Sequence, residues 1–370
     1  MAGTDALEAL RHWTLYAKDK LRPLPGILYT SESFLDLEIE ALFHKKWINV
    51  GHISELRKPG DFLTLQVTNK PILVACDKDG EIRAFANVCQ HRCSILARGS
   101  GNCKVFTCPY HAWVYNLDGT LRGAPHMDLE QLTHVQLPEY ALEIWQGLVF
   151  VNLDSAPEAL APQLTELKAR IEPYDFPSYR VIQRQEMAFA CNWKVLVENF
   201  CESYHVFRVH KTTIEPATPT TSIRVWDGGD TFNHHTMTSR ITDTEDPAVN
   251  RLPENLQKLD HLICVYPCLA FSIDPSISIW LNVLPTGPQT LMCVAQIAVL
   301  SEAGAEQSEK AEKQIKAATA AFMAEDKSRI EGVQLGLAAD VGNSGVLHEW
   351  ERTNWEFGQY LVRQLLVVDN

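Results

Sequence analysis

Four residues in two short words carry the strongest chemical signal in this sequence: Cys89 and His91, then, after sixteen intervening residues, Cys108 and His111 of the second. Two thiolates and two imidazoles suit a structural zinc ion. They also suit a [2Fe–2S] cluster with both cysteines on one iron and both histidines on the other. The spacing separates the two. Zinc sites usually place paired ligands two or more residues apart, because one ion has to be wrapped tetrahedrally. Cys-x-His is too tight for easy chelation of one ion but suits two ligands reaching different irons. Imidazole in place of thiolate raises the reduction potential, to about −150 to +300 mV against about −400 mV for all-cysteine plant-type clusters. Such a centre accepts one electron readily and passes it on.

A second set lies about a hundred residues later, in NWKVLVENFCESYHVFRVH, which contains Glu202, His205 and His210. Histidines five apart do not share one face of a helix, so joint ligation requires the helix to bend or end between Tyr204 and His210. On spacing alone, a metal pair and two ordinary hydrogen-bonded histidines both remain open. Downstream, MAEDKSRIEGVQLGL offers three acids, Glu325, Asp326 and Glu331. Phe322, Asp326, Ile330, Val333 and Leu337 recur at helical spacing, which puts Asp326 in an apolar stripe. Glu325 shares its face with Ala321, Ser328, Arg329 and Gly332 and is expected to meet water. A carboxylate on an inward face needs a partner, and a metal ion is one.

The surrounding texture indicates how these residues are held. Residues 33–47 have helical periodicity after a Ser or Glu start. From about 50 to 153 short β-like runs (FLTLQV, PILVAC, AWVYNL, GLVFVNL) are divided by Asp-Gly turn signals at 79–80 and 118–119. Helical patterns return at 156–172 and 192–208. Three β runs follow around 263–272, 277–285 and 289–300, then a long helical region over 303–338 and a last helix over 350–366. The expected class is α+β, with divisions at 1–46, 47–154 and 155–370. The 370 residues carry a formal net charge of −13, which argues against nucleic-acid partners. No window has the roughly 18 apolar residues of a membrane span. The N-terminus lacks a signal-peptide core, so the default expectation is cytoplasmic. Ten cysteines without an export signal point away from a disulfide framework.

NVCQHRCSIL and TCPYHAWVYNLDG closely resemble the two cluster loops of Rieske non-haem iron oxygenases, in which Arg92, Tyr110 and Trp113 would flank the cluster. Cys93 stands where Gly or Ala is common. The family also carries Glu/Asp-x-x-His-x-x-x-x-His, commonly preceded by Asn-Trp-Lys and an Asn, and this chain has Asn192-Trp193-Lys194 and Asn199. The resemblance implies an all-β Rieske domain at 47–154 and a helix-grip catalytic domain at 155–370, with residues 1–46 packing on the latter. It implies a mononuclear Fe(II) held by His205, His210 and a carboxylate. The family's Glu-Asp followed by Val-Gln-x-Gly identifies that carboxylate as Asp326. Glu202 would bridge His205 to the cluster ligand His111 of a neighbouring subunit in a homotrimer. Many relatives have Asp at this bridge, and Glu occurs in a branch that includes carnitine and glycine-betaine oxygenases.

The implied protein is a terminal oxygenase that takes electrons from a separate NAD(P)H-dependent reductase, either directly or through a ferredoxin. No Gly-x-Gly-x-x-Gly fingerprint is present for nicotinamide or flavin. Hydroxylation of an aromatic or similar small molecule is the first expectation. Oxidative N- or O-demethylation of a quaternary ammonium or methylated compound is the alternative. An electron carrier or binding module keeping only the cluster is the reading of another class. Asn233, His234, His235, Tyr266, Phe271, Trp280 and Asn282 are the candidate pocket residues, each equally explicable as core or surface. Trp280 and Tyr266 are the ones that could stack on a quaternary ammonium.

Overall fold

The computed structural model describes residues 2–16, 20–241, 245–300, 305–339, 341–342 and 345–366. The chain forms two compact units, Phe43–Leu160 and the combination of Met1–Leu42 with Ala161–Asn370. The last residues of the first unit are tied back to its own sheet. Trp47 Nε1 donates to the Glu158 carbonyl at 2.8 Å, and Leu160 N–H donates to Glu143. The division therefore falls after Leu160, where the sequence suggested Asp154. Among the described residues no helix is long and apolar enough to cross a membrane.

The first unit is all β apart from single 3-10 turns. Its larger sheet is antiparallel in every pairing, in the order Ile48–His52, Leu148–Asn152, Glu139–Trp145, Ile82–Ala86, Lys70–Cys76, Asp61–Val67, Ser100–Asn102. A small sheet of Phe106–Thr107, Val114–Tyr115 and Leu121–Gly123 accompanies it. Both Asp-Gly turn signals are realised. Gly80 and Gly119 have φ of +89° and +83°, and a Cβ on Gly119 would lie 2.7 Å from the Phe85 ring. Leu73, Phe85, Trp113, Tyr115 and Leu117 form a core that also contains Cys89 and Cys108.

The second unit is built on a seven-stranded antiparallel sheet ordered Arg180–Phe189, Thr290–Val299, Ile277–Gly287, Leu269–Ile273, Leu259–Val265, Phe232–Thr238, Arg224–Val225. The β run expected at 263–272 is two strands separated by a turn at Tyr266-Pro267. Helix Trp193–Cys201 packs on four of these strands and against the helices Ala305–Ala338 and Arg352–Leu365. The helical segment expected over 192–208 is interrupted. It ends at Cys201, Glu202 is extended (φ −130°, ψ 161°), and a single turn resumes at Val206–Val209. Glu202 thus lies past the helix end and does not share a helix face with Asn199.

Asn192 starts the Trp193–Cys201 helix by accepting from Lys194 N–H, and its own N–H donates to Gln334 at 2.8 Å. The N-terminal segment clamps the same turn. Fully buried Glu38 accepts from Lys194 Nζ at 2.7 Å and Trp193 Nε1 at 2.9 Å. Removing one member of such a pair leaves a charge buried alone, at a cost of about 3–5 kcal/mol. Glu38→Ala should therefore lower the thermal midpoint strongly, and Glu38→Leu combined with Lys194→Met far less. Equal midpoints for the two variants would show that the ion pair is not what anchors the helix.

Candidate active site

The two Cys/His words fold into the same backbone turn. Cys93 N–H donates to Cys89 O at 3.0 Å, and Ala112 N–H donates to Cys108 O at 3.0 Å. Cys89 N–H closes on Ser94 O at 2.8 Å, and Cys108 N–H on Trp113 O at 2.7 Å. Cys93 and Ala112 both sit at φ +56°, a conformation in which a side chain is disfavoured. This left-handed position is the backbone reason that a small residue suits residue 93. Both cysteines are buried while His91 is exposed and His111 half-buried, so the pair of loops offers sulfur inward and imidazole outward. The imidazole rings lie 4.8 Å apart, and His91 stacks on Trp113 at 4.7 Å.

The donor set fits a [2Fe–2S] cluster. His111 Nδ1 is buried with no hydrogen-bond partner, as an atom reserved for a ligand would be. Burial works against charge on the Cys108 thiol, but the N–H groups of Tyr110 and His111 together with the Cys89 and Ser94 side chains outweigh it and hold the thiol below its usual range. Tyr115 hydroxyl lies 3.4 Å from Cys89 Sγ and accepts from Gln90 N–H at 3.0 Å, which leaves its own proton for the sulfur. The strand pattern around Tyr115 reads as core, so this contact was not visible in the sequence.

Among the described residues, one group of three or more His, Cys, Asp and Glu side chains converges closely enough for a single ion: His205, His210 and Asp326, with ligand atoms within 4.8 Å of one another. Asp326 Oδ1 lies 3.0 Å from His210 Nε2 and 3.7 Å from His205 Nε2. That oxygen is buried, and neither approach has hydrogen-bond geometry. Three ligand atoms facing one point without satisfying each other is the arrangement a metal completes. Two imidazoles and one carboxylate leave coordination positions open. The break at Glu202 is what lets two histidines five residues apart aim at the same point.

Each imidazole is held from behind by an acid. Glu202 takes His205 Nδ1 at 2.5 Å, with its other oxygen 3.2 Å from His205 N, and Glu325 takes His210 Nδ1 at 2.8 Å. Both contacts fix the tautomer that presents Nε2 to the ion. Glu325 stays partly in water, as its helix face predicts, and also accepts from Thr213 Oγ1 at 2.7 Å; its contact with His210 is what periodicity did not show. It is one helical step of 100° from Asp326, and the His210 ring fits between the two. Glu331 instead accepts from Ala190 N–H. The buried stripe of this helix runs through Thr319, Met323, Asp326, Ile330 and Gln334, while Val333 is 52 % exposed.

A cavity of about 300 Å³ opens on His205, His210 and Asp326. Its wall comes from Asn199 and Phe200 on the helix, from Phe322 and Met323 beside Asp326, and from one face of the sheet: Met237, Leu262, Ser272, Ile279 and Leu281. None of the seven pocket candidates from the sequence lines it. Register explains why: Leu262 pairs with Ser272 and Ser272 with Ile279, whereas Phe271 pairs with Trp280 on the opposite face. There Phe271 and Trp280 pack on Phe176, and Trp280 Nε1 donates to Gln296. His234 stacks with Trp226 and His261, Tyr266 stacks on Tyr360, and Asn282 is fully buried. Asn233 and His235 have the cavity-side parity but are bound to Cys201 and Ser203 beneath the helix end.

Residues 46–140 match the family model described as the Rieske [2Fe-2S] domain, and residues 176–366 match that of the ring hydroxylating alpha subunit (catalytic domain). The carnitine monooxygenase oxygenase subunit of Acinetobacter pittii is 30 % identical over 325 residues, which is 85 % of this chain and 84 % of the relative. The chain belongs to the Rieske oxygenases. As in that family, it carries a Rieske [2Fe–2S] domain and a non-haem iron catalytic domain, and it is a terminal oxygenase that works with a reductase. Chloroplastic choline monooxygenase of Beta vulgaris is 36 % identical over 203 residues, 52 % of this chain and 45 % of the relative. A solved quaternary ammonium Rieske monooxygenase, described for carnitine oxidation by gut microbiota and inter-subunit electron transfer, superposes with a TM-score of 0.81 at 25 % identity, covering 94 % of this chain and 96 % of that one. Naphthalene 1,2-dioxygenase from Rhodococcus sp. shares the fold, with a TM-score of 0.79 at 20 % identity over 100 % of this chain and 99 % of that one.

Two outcomes follow from the contacts behind the ligands. Tyr115→Phe removes one hydrogen bond to sulfur, worth about 0.5–1.5 kcal/mol. That corresponds to a potential lower by about 20–60 mV for a one-electron couple. A redox titration checks it, and an unchanged potential would mean that the contact does not tune the centre. Glu325→Ala should weaken iron binding at the mononuclear site by about 10–100-fold while leaving the cluster spectrum intact. Full iron occupancy at limiting iron would count against the backing role.

Proposed function

We propose that Cys89, His91, Cys108 and His111 hold the [2Fe–2S] cluster, that His205, His210 and Asp326 hold the mononuclear iron, and that the substrate is a small N-alkylated amine. The convergence of two Nε2 atoms on Asp326 Oδ1 at the mouth of an apolar cavity carries this reading. When bound, the cluster supplies single electrons and the iron supplies dioxygen activation. The two branches considered from sequence, hydroxylation of a small molecule and oxidative dealkylation, share this chemistry. The relatives named for carnitine, glycine betaine and choline favour the amine branch. A volume near 300 Å³ is at the lower end for ligand pockets and suits a substrate of that size.

In this reading one oxygen atom enters a C–H bond next to nitrogen and the other leaves as water, with two electrons and two protons consumed. The C–N bond to the hydroxylated carbon then breaks: its electron pair stays on nitrogen, the hydroxyl proton is lost, and the carbon leaves as a carbonyl compound. Phe200, Leu262 and Phe322 exclude water around the C–H bond, and Asn199 faces the same space. Glu202 holds the His205 Nδ1 proton, and we assign it the bridge to His111 of a neighbouring subunit in a homotrimer. Electrons come from an NAD(P)H-dependent reductase, directly or through a ferredoxin, in the cytoplasm.

Asp326→Ala should abolish mononuclear iron and substrate-coupled oxygen uptake while keeping the visible absorption of the cluster. Retained iron and activity would refute the ligand assignment. Glu202→Gln should keep both metals but slow single-turnover oxidation of the reduced cluster by at least tenfold. An unchanged rate would remove the bridge.

A further inference from the structure

The cavity contains a feature the oxygenase chemistry does not use. Two carboxylates, Asp260 and Asp274, are part of its wall. They lie one step beyond the last paired residues, His261 and Ile273, of neighbouring antiparallel strands, so they stand opposite each other. Like charges so placed repel. Both carboxyls are pushed above their ordinary range. Burial is the main cause for each, with the Asp274 charge adding to it at Asp260. Asp274 Oδ1 is anchored by the N–H groups of Ser276 and Ile277, at 2.8 and 2.6 Å. Among the described residues Asp260 Oδ2 receives one hydrogen bond, from Thr218 Oγ1 at 3.3 Å, and no Lys or Arg is among the residues lining the cavity. The surrounding wall is Ile214, Met237, Leu262 and Ile273. Near neutral pH the raised pair keeps a shared proton and carries about one negative charge, and with no Lys or Arg lining the apolar space that charge is left for a ligand to neutralise.

We propose that Asp260 and Asp274 form the charge-recognition site of this oxygenase, and that its substrate is a small N-alkylated cation carrying no carboxylate. This rests on the amine-oxidation reading above and narrows it. A quaternary or tertiary ammonium has no strong hydrogen bond to give. Diffuse negative charge set among aliphatic side chains complements its charged centre and its alkyl groups together. A zwitterion would bring its own carboxylate, within a few ångströms of the nitrogen, into a cavity that already holds two acids and offers no Lys or Arg. The same potential that attracts the ammonium end opposes that carboxylate. Recognition by these acids also takes over the part that Trp280 and Tyr266, absent from the cavity, cannot play.

The test uses the holoenzyme in its oxidised form without oxygen, titrated calorimetrically with three probes of closely similar size. Choline is a cation without a carboxylate, glycine betaine is its zwitterionic counterpart, and 3,3-dimethylbutan-1-ol is the neutral isostere. Choline should bind at least tenfold more tightly than the other two. Asp260→Asn/Asp274→Asn should lose at least tenfold in choline affinity, with little change for the neutral alcohol and with iron content and cluster absorption retained. If the double variant does not fold, Asp260→Asn alone decides, because Asp260 has the fewer structural contacts. The proposal is overturned if glycine betaine or the alcohol binds as tightly as choline, if the Asn variants keep their choline affinity, or if choline does not bind. Oxygen uptake separates the two levels of inference. Oxidation of glycine betaine with no preference for choline leaves amine oxidation standing and removes the charge site. Uptake driven by a neutral aromatic and by neither ammonium compound removes both.

Discussion

The catalytic half of this protein depends on one interruption of backbone hydrogen bonding, at Glu202. An intact helix would rotate His205 and His210 five steps apart, about 140° from sharing a face. Extension at Glu202 ends the helix, and the turn Val206–Val209 then re-aims the chain so that both Nε2 atoms reach Asp326. Freed from the helix, the Glu202 side chain folds onto the His205 N–H and Nδ1. The residue that breaks the helix therefore also orients the first ligand. The break needs a rigid approach, and the approach is supplied from both ends of the chain: Glu38 grips Trp193 and Lys194, and Gln334 takes the Asn192 N–H. Gln334 and Asp326 lie on the same helix, so the start of the Trp193–Cys201 helix and the Asp326 carboxylate are set by one rigid rod.

The cluster half meets the opposite demand. A helix end must be unique, whereas the two cluster loops repeat one turn, with the same hydrogen-bond closure and the same left-handed residue. The histidine comes at the third position of the first loop and the fourth of the second. That offset lets two similar turns deliver chemically alike ligands from different directions while both cysteines stay in the hydrophobic core. The pair of loops thus has a direction, with sulfur in a low-dielectric interior and imidazole toward the surface.

Much of this was legible in the sequence because ligand chemistry is carried by residue type and spacing. Cys-x-His excluded easy chelation of one ion, and the Asp326 stripe selected one acid among three. Spacing did not reveal Glu325, since a residue 100° from an inward position reads as solvent-facing until a ring is known to lie beside it. Nor could residue type reveal the cavity. Trp280, Phe271 and Tyr266 look like substrate contacts, yet the sheet's alternation sends Phe271 and Trp280 to the far face, and the smaller Ser272, Ile279 and Leu281 line the site. Parity within a strand depends on register, and register is a tertiary property. Val333 shows the same limit on a helix: the buried stripe continues instead through polar Gln334, whose amide is needed at Asn192.

The distribution of acids then explains why one cavity can combine iron and a charged substrate. At the His205, His210 and Asp326 end, a bound divalent ion would offset two of the three carboxylate charges of Glu202, Glu325 and Asp326, the imidazoles being neutral as ligands. Asp260 and Asp274 are part of the same wall with no cation lining it, so the remaining negative charge acts on whatever enters. A cationic head drawn to that pair leaves its alkyl groups to fill the apolar remainder of a small space, which restricts where its C–H bonds can lie. Orientation in this site is thus set by charge at the acid pair and by shape elsewhere. A neutral molecule of equal volume would satisfy only the second condition.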